Sequence, residues 1–309
     1  MDNFSFEKRV KCDSPVVEQT PIVWKNKLLL VESWQRHWET PPGSEKDFYI
    51  RIRDEGSNSI LTRTMNGFGY SSAFVWSDTI YIFASKKEVY ENSVHKSHDI
   101  FMSCSTDLTN WSNPEKVING EKDEQLFNQS VCYDGNQFII AFESLSKQHT
   151  SFTIKFAKST DLKKWEIIPG AIYGHDRYTA CPCIRYCNGY YYMLYLEHLK
   201  PLWRFETYLT RSRDLVEWEN SPYNPVIVPN PEEFVHKNCV HSNSDYDKTC
   251  TANGREINTS DPDVVEWNDK TRIYFTGGCQ HWGGLLQYVE YNGSMIDFFE
   301  SYFNKNLDR

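Results

Sequence analysis

Short apolar runs separated by turn-forming residues dominate the chain, and long helical periodicity is hard to find. An apolar run, a turn containing Asn, Asp or Gly, and a second, mostly aromatic run recur five times, a pattern typical of a β-hairpin. The aromatic anchors that end the first runs are Trp24, Trp76, Tyr133, Tyr186 and Trp267, and they follow one another after 52, 57, 53 and 81 residues. The pattern predicts an all-β chain built from five similar units.

A heptapeptide, Ser-x-Asp-Leu-x-x-Trp, recurs at nearly the same period. Its three copies begin at Ser105, Ser159 and Ser212. The Ser and Asp oxygens suit backbone N–H groups of a tight turn, while Leu and Trp suit the core. We therefore expect a structural role for this motif.

Each unit offers two further strands, such as Ile100–Ser103 and Pro114–Ile118 in the second unit. Four strands in about 53 residues are typical of a propeller blade. The expected architecture is a five-bladed β-propeller of four-stranded antiparallel blades, in a single domain over residues 1–309. The long last interval predicts a loop insertion at about 221–258, and N-terminal residues 4–10 are candidates to close the ring.

The net charge and the composition limit the classes of partner that the chain is expected to bind. The 309 residues carry a formal charge of -9 without a basic run, which argues against nucleic acid and anionic membranes. No apolar window reaches the length of a membrane helix, and the first residues lack the features of a secretory signal, so a cytoplasmic location is expected. Nine cysteines, an odd number, favour reduced thiols over a disulfide framework. The spacing of Cys181, Cys183 and Cys187 within one strand and its turn favours buried thiols over a metal site, and no cofactor is predicted.

Catalytic carboxylates are expected where the innermost strands of a propeller converge. The position six residues before each anchor holds Glu18 in the first unit and Asp261 in the fifth. In the other units it holds Tyr70, Phe127 and Ala180. Acids that end the second strands are Glu32, Glu143 and Glu197, of which the first two are interpreted as hydrogen-bonded structural acids.

The repeated heptapeptide, together with Ser260-Asp261-Pro262-Asp263 before a Trp-Asn-x-Lys-x-x-Ile-Tyr hairpin, resembles the five-bladed propeller glycosidases of the arabinanase and β-fructosidase superfamily, including glycoside hydrolase family 43. The resemblance covers nearly the whole chain at the level of blades. It implies carboxylates on the inner strands that act as general acid and as base or nucleophile, and furanosides or related glycosides as substrates.

Two motifs depart from that superfamily. Glu18-Gln19-Thr20-Pro21 corresponds loosely to its first-blade Asp-Pro, and Ala180-Cys181-Pro182 has Ala where its Glu-Cys-Pro has the acid. Substitute acids are available nearby. The resulting hypothesis takes Glu197 or Asp176 as acid and Glu18 or Asp261 as base or nucleophile. The alternative for Asp176 is an ion pair with Arg177.

Aromatic and basic residues follow three second strands, as a sugar site requires. The substrate-binding candidates are Trp34, Arg36, Arg177, Trp203, Arg204, Asp263, His281 and Trp282. An arginine among them suits the carboxylate of an acidic sugar. Asp261 and Asp263 could instead cap the entry to their strand.

The sequence therefore predicts a glycoside hydrolase that cleaves a small glycan by carboxylate acid/base catalysis, with an oligosaccharide or glycoside as its partner. The alternatives are a carbohydrate-binding propeller without turnover, which the Ala180 departure motivates, and a glycoside phosphorylase.

Overall fold

The structure, a computed structural model, describes residues 6, 10–12, 18–35, 48–89, 95–150, 152–200, 204–230, 256–278 and 284–304. Most of these residues lie in strands, as predicted for an all-β chain.

Three antiparallel sheets of four strands come first along the chain. The first consists of β2 (Gln19–Trp24), β3 (Lys27–Gln35), β4 (Phe48–Asp54) and β5 (Ile60–Thr64). The second consists of β6 (Phe68–Trp76), β7 (Thr79–Lys86), β10 (Asp99–Ser105) and β11 (Glu115–Asn119). Between β7 and β10, β8 (Glu88–Val89) pairs with β9 (His95–Lys96). The third consists of β12 (Gln125–Tyr133), β13 (Phe138–Leu145), β14 (Thr153–Ser159) and β15 (Glu166–Tyr173).

The remaining strands form one eight-stranded sheet that divides into two antiparallel runs of four. One run consists of β16 (Thr179–Cys187), β17 (Tyr190–His198), β18 (Phe205–Ser212) and β19 (Trp218–Asn220). The other consists of β20 (Asn258–Trp267), β21 (Lys270–Gly278), β22 (Gly284–Asn292) and β1 (Val10–Lys11). A single parallel pair, Phe205 with Asn258, joins the two runs. Of the N-terminal residues 4–10 that were candidates to close the ring, Val10 pairs with Tyr288 of this run.

All five predicted hairpins are confirmed as antiparallel pairs of first and second strands. In the first, the two turn residues Lys25 and Asn26 have φ of 48° and 59°. Positive φ at both central positions is the geometry of a type I′ turn, which matches the twist of the flanking strands. Asn and Asp tolerate this backbone, so the turn residues read from the sequence fix where each hairpin reverses.

The heptapeptide has the expected structural role. In its first copy, the Ser105 hydroxyl accepts from the backbone N–H of Leu108 at 3.0 Å, and Asp107 Oδ1 accepts from those of Thr109 and Asn110 at 2.8 and 2.7 Å. The indole N–H of Trp111 donates back to the Leu108 carbonyl at 3.2 Å. The copies beginning at Ser159 and Ser212 repeat the carboxylate and indole bonds. These side chains satisfy the backbone of a turn that connects the third strand to the fourth.

The core consists of apolar layers between neighbouring four-stranded units rather than one central cluster. Buried residues of the first unit pack on the second, those of the second on the third, and so on to the last unit. A fifth layer joins the last unit to the first, with Leu30 against Tyr274 and Leu286. The first strands also contact one another in the order β2, β6, β12, β16, β20 and back to β2. These contacts bring the starts of the first strands together.

The chain ends in one short helix within the described residues, α1 (Met295–Ser301), which Ser294 caps. Its Phe298 and Phe299 are buried against the last two units. Among the described residues, no helix is long and apolar enough to cross a membrane. The predicted loop insertion falls mostly on residues 231–255, which lie outside the described part of the chain.

Candidate active site

A bulge near the start of four first strands builds the site. In β6, β12, β16 and β20 the register shifts within the first few residues. The bulged residues Tyr70, Asn128, Cys181 and Asp261 have φ of 54°, 40°, 52° and 51°. A bulge with positive φ re-aims its side chain and is a feature common near active sites. Each of these four strands therefore has one bulged residue with positive φ near its start, and the four bulges lie at the same end of the molecule.

Three of these residues meet Glu18, which directly precedes β2, around a cavity of about 30 Å³. Its lining comprises Glu18, Gln19, Thr20, Ser71, Asn128, Gln129, Cys181, Pro182, Asp261, Pro262 and Asp263. The structure thus brings together two of the four catalytic candidates, Glu18 and Asp261, with the substrate-binding candidate Asp263.

Glu18 is 7% exposed, and its Oε2 atom has no hydrogen-bond partner among the described residues. Burial raises the pKa of this carboxyl to about 7, while the charge of Lys87 opposes the rise and that of Asp261 adds to it. Hydrogen bonds from the Ser33 side chain and the Tyr70 backbone also lower the pKa. A carboxyl with a pKa near neutrality that lines a cavity suits proton transfer.

Asp261 is held by its neighbours in the ring of first strands. The Gln19 amide donates to its main-chain carbonyl at 3.1 Å, and the Ser260 hydroxyl donates to Oδ2 at 2.5 Å. Burial raises the pKa of the Asp261 carboxyl to about 6, hydrogen bonds from Ser260 and the Cys181 thiol oppose the rise, and the charge of Glu143 adds to it. The thiol of the bulged residue Cys181 thus contacts the candidate acid Asp261.

Glu143, on β13, lies behind these two acids and is 4% exposed. Its Oε2 atom accepts from the Asn128 side chain and from the Cys181 backbone N–H, both at 3.0 Å. The hydrogen bonds expected for Glu143 are therefore present. Burial also raises the pKa of Glu143 to about 7, and the charge of Glu18 contributes. Glu18, Glu143 and Asp261 therefore form one electrostatically linked group, which we name the axial carboxylates.

The sequence count of six residues back from each anchor is wrong for two units. It selects Phe127 and Ala180, whereas the bulged residues are Asn128 and Cys181. Ala180 packs instead in a buried apolar cluster with Leu196. The register shift of β12 skips one residue instead of two, and β16 continues one residue past its anchor Tyr186 to Cys187, so in both strands the bulge lies five residues before the anchor. In β16 the bulged residue, which lines the cavity, is therefore Cys181 and not Ala180.

Two catalytic candidates lie apart from the small cavity. Glu197, at the end of β17, accepts from Arg177 Nε with both carboxylate oxygens at 3.2 Å. Burial raises the pKa of Glu197, and Arg177 opposes the rise. Asp176 is exposed and contacts Arg177 Nη1 at 3.1 Å, which confirms the ion pair expected as its alternative role. Neither acid lines the cavity.

The other binding candidates are placed as follows. Trp34 stacks on Tyr49 with ring centroids 4.8 Å apart. Arg204 Nε donates to Glu206 at 2.7 Å, and Asp263 accepts from Arg185 at 2.5 Å. Arg36, Trp203, His281 and Trp282 lie outside the described residues.

The Arg185–Asp263 ion pair also separates two spaces along the first strands. Asp263 lines the small cavity, and Arg185 lines a second cavity of about 410 Å³ farther along the same strands. Valine and aromatic side chains, including Trp76, Tyr133 and Tyr186, make most of the wall of the second cavity. Glu18 and Asp261 thus line the space at the strand starts and not the second cavity.

No protein-family model matches the sequence, and the comparison with curated proteins gives no match. Solved structures do match. A protein described as a glycoside hydrolase is 13% identical, with a TM-score of 0.61 over 97% of this chain and 94% of that one. A family 43 endo-arabinanase from Bacillus licheniformis is 11% identical, with a TM-score of 0.58 over 91% of this chain and 96% of that one.

A family 32 β-fructofuranosidase from Bombyx mori, in complex with sucrose, is 11% identical, with a TM-score of 0.58 over 89% of this chain. The match spans 60% of that longer protein. At such identities the similarity concerns the fold, and it agrees with the resemblance read from the repeats. The chain has the fold of the propeller glycoside hydrolases.

Proposed function

We propose that the protein is a glycoside hydrolase in which two of the axial carboxylates, Glu18 and Asp261, cleave the glycosidic bond. The observation that carries the proposal is the cavity that Glu18 and Asp261 share, with Glu143 behind it. Glycoside cleavage needs one carboxyl that is protonated and one that is ionised at the working pH. The raised pKa values of about 7, 7 and 6 allow both forms to be present near neutral pH.

Glu18 and Asp261 are the proposed reacting pair because both line the cavity, whereas Glu143 is held by hydrogen bonds behind it. The proposed role of Glu143 is to raise the pKa of Asp261 by its charge. Glu197 is the alternative acid, since burial raises its pKa too. Arg177 and Arg204, each about a third exposed, are proposed to contact the substrate outside the cavity.

The proposed substrate is a small glycan, with furanosides first in line. Two of the similar structures are described as an endo-arabinanase and as a β-fructofuranosidase, and furanosides are the substrates that the resemblance of the repeats to the arabinanase and β-fructosidase superfamily implies. Arg177, which precedes β16, and Arg204, which precedes β18, favour a sugar that carries a carboxylate, since guanidinium groups bind carboxylates with two hydrogen bonds.

The proposed architecture around this site is a closed propeller of five blades. Five apolar layers join the four-stranded units in cyclic order, and the first strands contact one another in the same order. Such a ring places one bulged or edge residue per blade around the axis.

A carbohydrate-binding propeller without turnover is the second candidate. It is favoured by Asn128 and Cys181, which occupy bulge positions equivalent to that of Asp261 but carry no carboxylate. A phosphorylase is tested by the same assay with inorganic phosphate present.

Variants at each carboxylate test the proposal. Turnover of 4-nitrophenyl furanosides and arabinan oligosaccharides is measured for the wild type and for Glu18→Gln, Asp261→Asn and Glu197→Gln. We expect a loss of at least about 100-fold in the first two, because each removes a group that transfers a proton. Glu115→Gln, at an exposed position on β11, is the matched control. Full activity in both Glu18→Gln and Asp261→Asn would refute the assignment, and a loss confined to Glu197→Gln would move the acid to β17.

A further inference from the structure

The second cavity, of about 410 Å³, lies toward the ends of the first strands and has no part in the proposed hydrolysis. Small-molecule sites have volumes of about 300–1,000 Å³, so this cavity is large enough to be one. Three of the aromatic anchors read from the sequence line it, namely Trp76 on β6, Tyr133 on β12 and Tyr186 on β16. We name them the anchor rings. These three strands are neighbours around the axis, so the anchor rings follow one another along the wall of the cavity.

Buried neighbours hold the anchor rings in place. The ring centroids of Trp76 and Tyr133 lie 4.5 Å apart, and the Phe138 ring contacts them at 5.3 and 5.0 Å. Tyr191 packs on Tyr186 at 4.9 Å. Trp76 is nevertheless 37% exposed, so part of its surface is accessible to a ligand. The cavity therefore offers aromatic surface that is fixed before any ligand binds.

Two charged residues line the cavity, and only one of them lacks an opposite charge. The Arg185 guanidinium donates to Asp263 at 2.5 Å and to the Val264 carbonyl at 3.0 Å, so its charge is compensated. Glu266 is exposed, and its carboxylate accepts from the backbone N–H of Met295 at 2.9 Å. Within the described part of the chain, Glu266 forms no ion pair. The cavity thus combines aromatic rings with a single uncompensated carboxylate.

We propose that this cavity binds a small organic cation with an alkylated ammonium group, which lies among the anchor rings with its charge toward Glu266. The faces of Trp and Tyr rings attract cations, and quaternary ammonium ligands are bound in this way. Valine side chains make much of the remaining wall and suit the alkyl groups of such a ligand. The formal charge of -9 on the chain favours a cation further. The site does not depend on the proposed hydrolase function.

The rim of the cavity favours a free ligand over a lipid headgroup. Of the large apolar residues that are exposed in the described ranges, only Val23 and Trp76 line the cavity. A membrane-binding surface needs a wider apolar patch or a basic one. The proposed ligand is therefore a free molecule of the choline type.

Isothermal titration calorimetry with choline chloride at low ionic strength tests the proposal. We expect saturable binding to the wild type. The neutral alcohol in which a carbon atom replaces the choline nitrogen should bind at least about tenfold more weakly, because it has the same shape but no charge for the rings to attract. This comparison uses the wild type, so it needs no variant to fold.

Variants of the wall assign the contacts. Trp76→Leu should weaken choline binding about tenfold or more, while Trp76→Phe, which keeps an aromatic face, should lose less. Glu266→Gln should weaken it about threefold and reduce its dependence on salt. Glu115→Gln removes an exposed carboxylate outside the cavity and should bind choline as the wild type does.

Three results would overturn the proposal. They are the absence of saturable choline binding at millimolar concentration, equal binding of the neutral alcohol, and wild-type affinity in both Trp76→Leu and Glu266→Gln. Tighter binding to phosphatidylcholine vesicles than to choline would overturn the assignment of a free ligand. Hydrolase activity enters none of these measurements, so failure here and failure of the proposed function are distinguishable.

Discussion

The axial carboxylates should make the protein less stable as pH rises, and Glu143 allows the cost to be measured. Its pKa is about 7 in the folded protein against an ordinary 4.5. A raised pKa means that the folded state binds more protons than the unfolded state between these values, so stability falls across that interval and stays lower above it. A shift of about 2.5 units corresponds to about 3 kcal/mol of unfolding free energy.

Glu143→Gln removes the titrating group while keeping its shape. The free energy of unfolding of the variant, relative to the wild type, should rise by about 3 kcal/mol between pH 4 and pH 8. For a chain of 309 residues this corresponds to about 5 °C in Tm. Only the change with pH is compared, so a constant packing effect of the substitution cancels.

Urea unfolding followed by tryptophan fluorescence, at intervals from pH 4 to pH 8, provides the measurement. Glu115→Gln, at an exposed position on β11, serves as the control and should track the wild type at every pH. A difference between Glu143→Gln and wild type that stays constant over this range would refute the reasoning, since it would mean that Glu143 ionises as readily in the folded protein as in the unfolded chain.

Three further predictions concern other parts of the fold. Glu32 contacts Arg51 and Arg53 at 2.6 Å in the buried first unit, so Glu32→Leu should lower the unfolding free energy by about 3–5 kcal/mol in urea titrations; a loss below about 1 kcal/mol would contradict a buried ion-pair network. Asp161 accepts two backbone N–H groups in its turn, so Asp161→Ala should lower the Tm, and an unchanged Tm would show that the turn does not depend on these bonds. Burial raises the pKa of the Cys181 thiol well above its usual range, so iodoacetamide at pH 8 should alkylate it at least about tenfold more slowly than free cysteine, as followed by mass spectrometry, whereas rapid labelling would mean that the thiol is accessible and ionised.

The sequence was sufficient to predict the hairpins and the repeated turn because both depend on interactions between residues that are close in the sequence. Asn26 stands in a two-residue turn that favours its backbone conformation, and Asp107 bonds N–H groups two and three residues away. Interactions of this range leave a pattern that can be read along the chain, and the repeat of the pattern then predicts the four-stranded units.

The site was only partly predictable because the positions of bulges and the burial of side chains depend on residues that are distant in the sequence. Counting from the anchors selects Glu18 and Asp261 but misses Asn128 and Cys181, since neither the length of a bulge nor the extension of a strand by one residue past its anchor changes the hydrophobic pattern.

Proton NMR of purified protein incubated with a panel of oligosaccharides and aryl glycosides, including furanosides and uronic acids, tests the central claim most directly. The account predicts release of a sugar from at least one member without phosphate, at a rate that Glu18→Gln abolishes and Glu115→Gln preserves. The anomer formed first would also report retention or inversion at the reacting carbon. Binding of a glycan without any product, or a sugar phosphate formed only when phosphate is present, would contradict the hydrolase account in favour of a binding propeller or a phosphorylase.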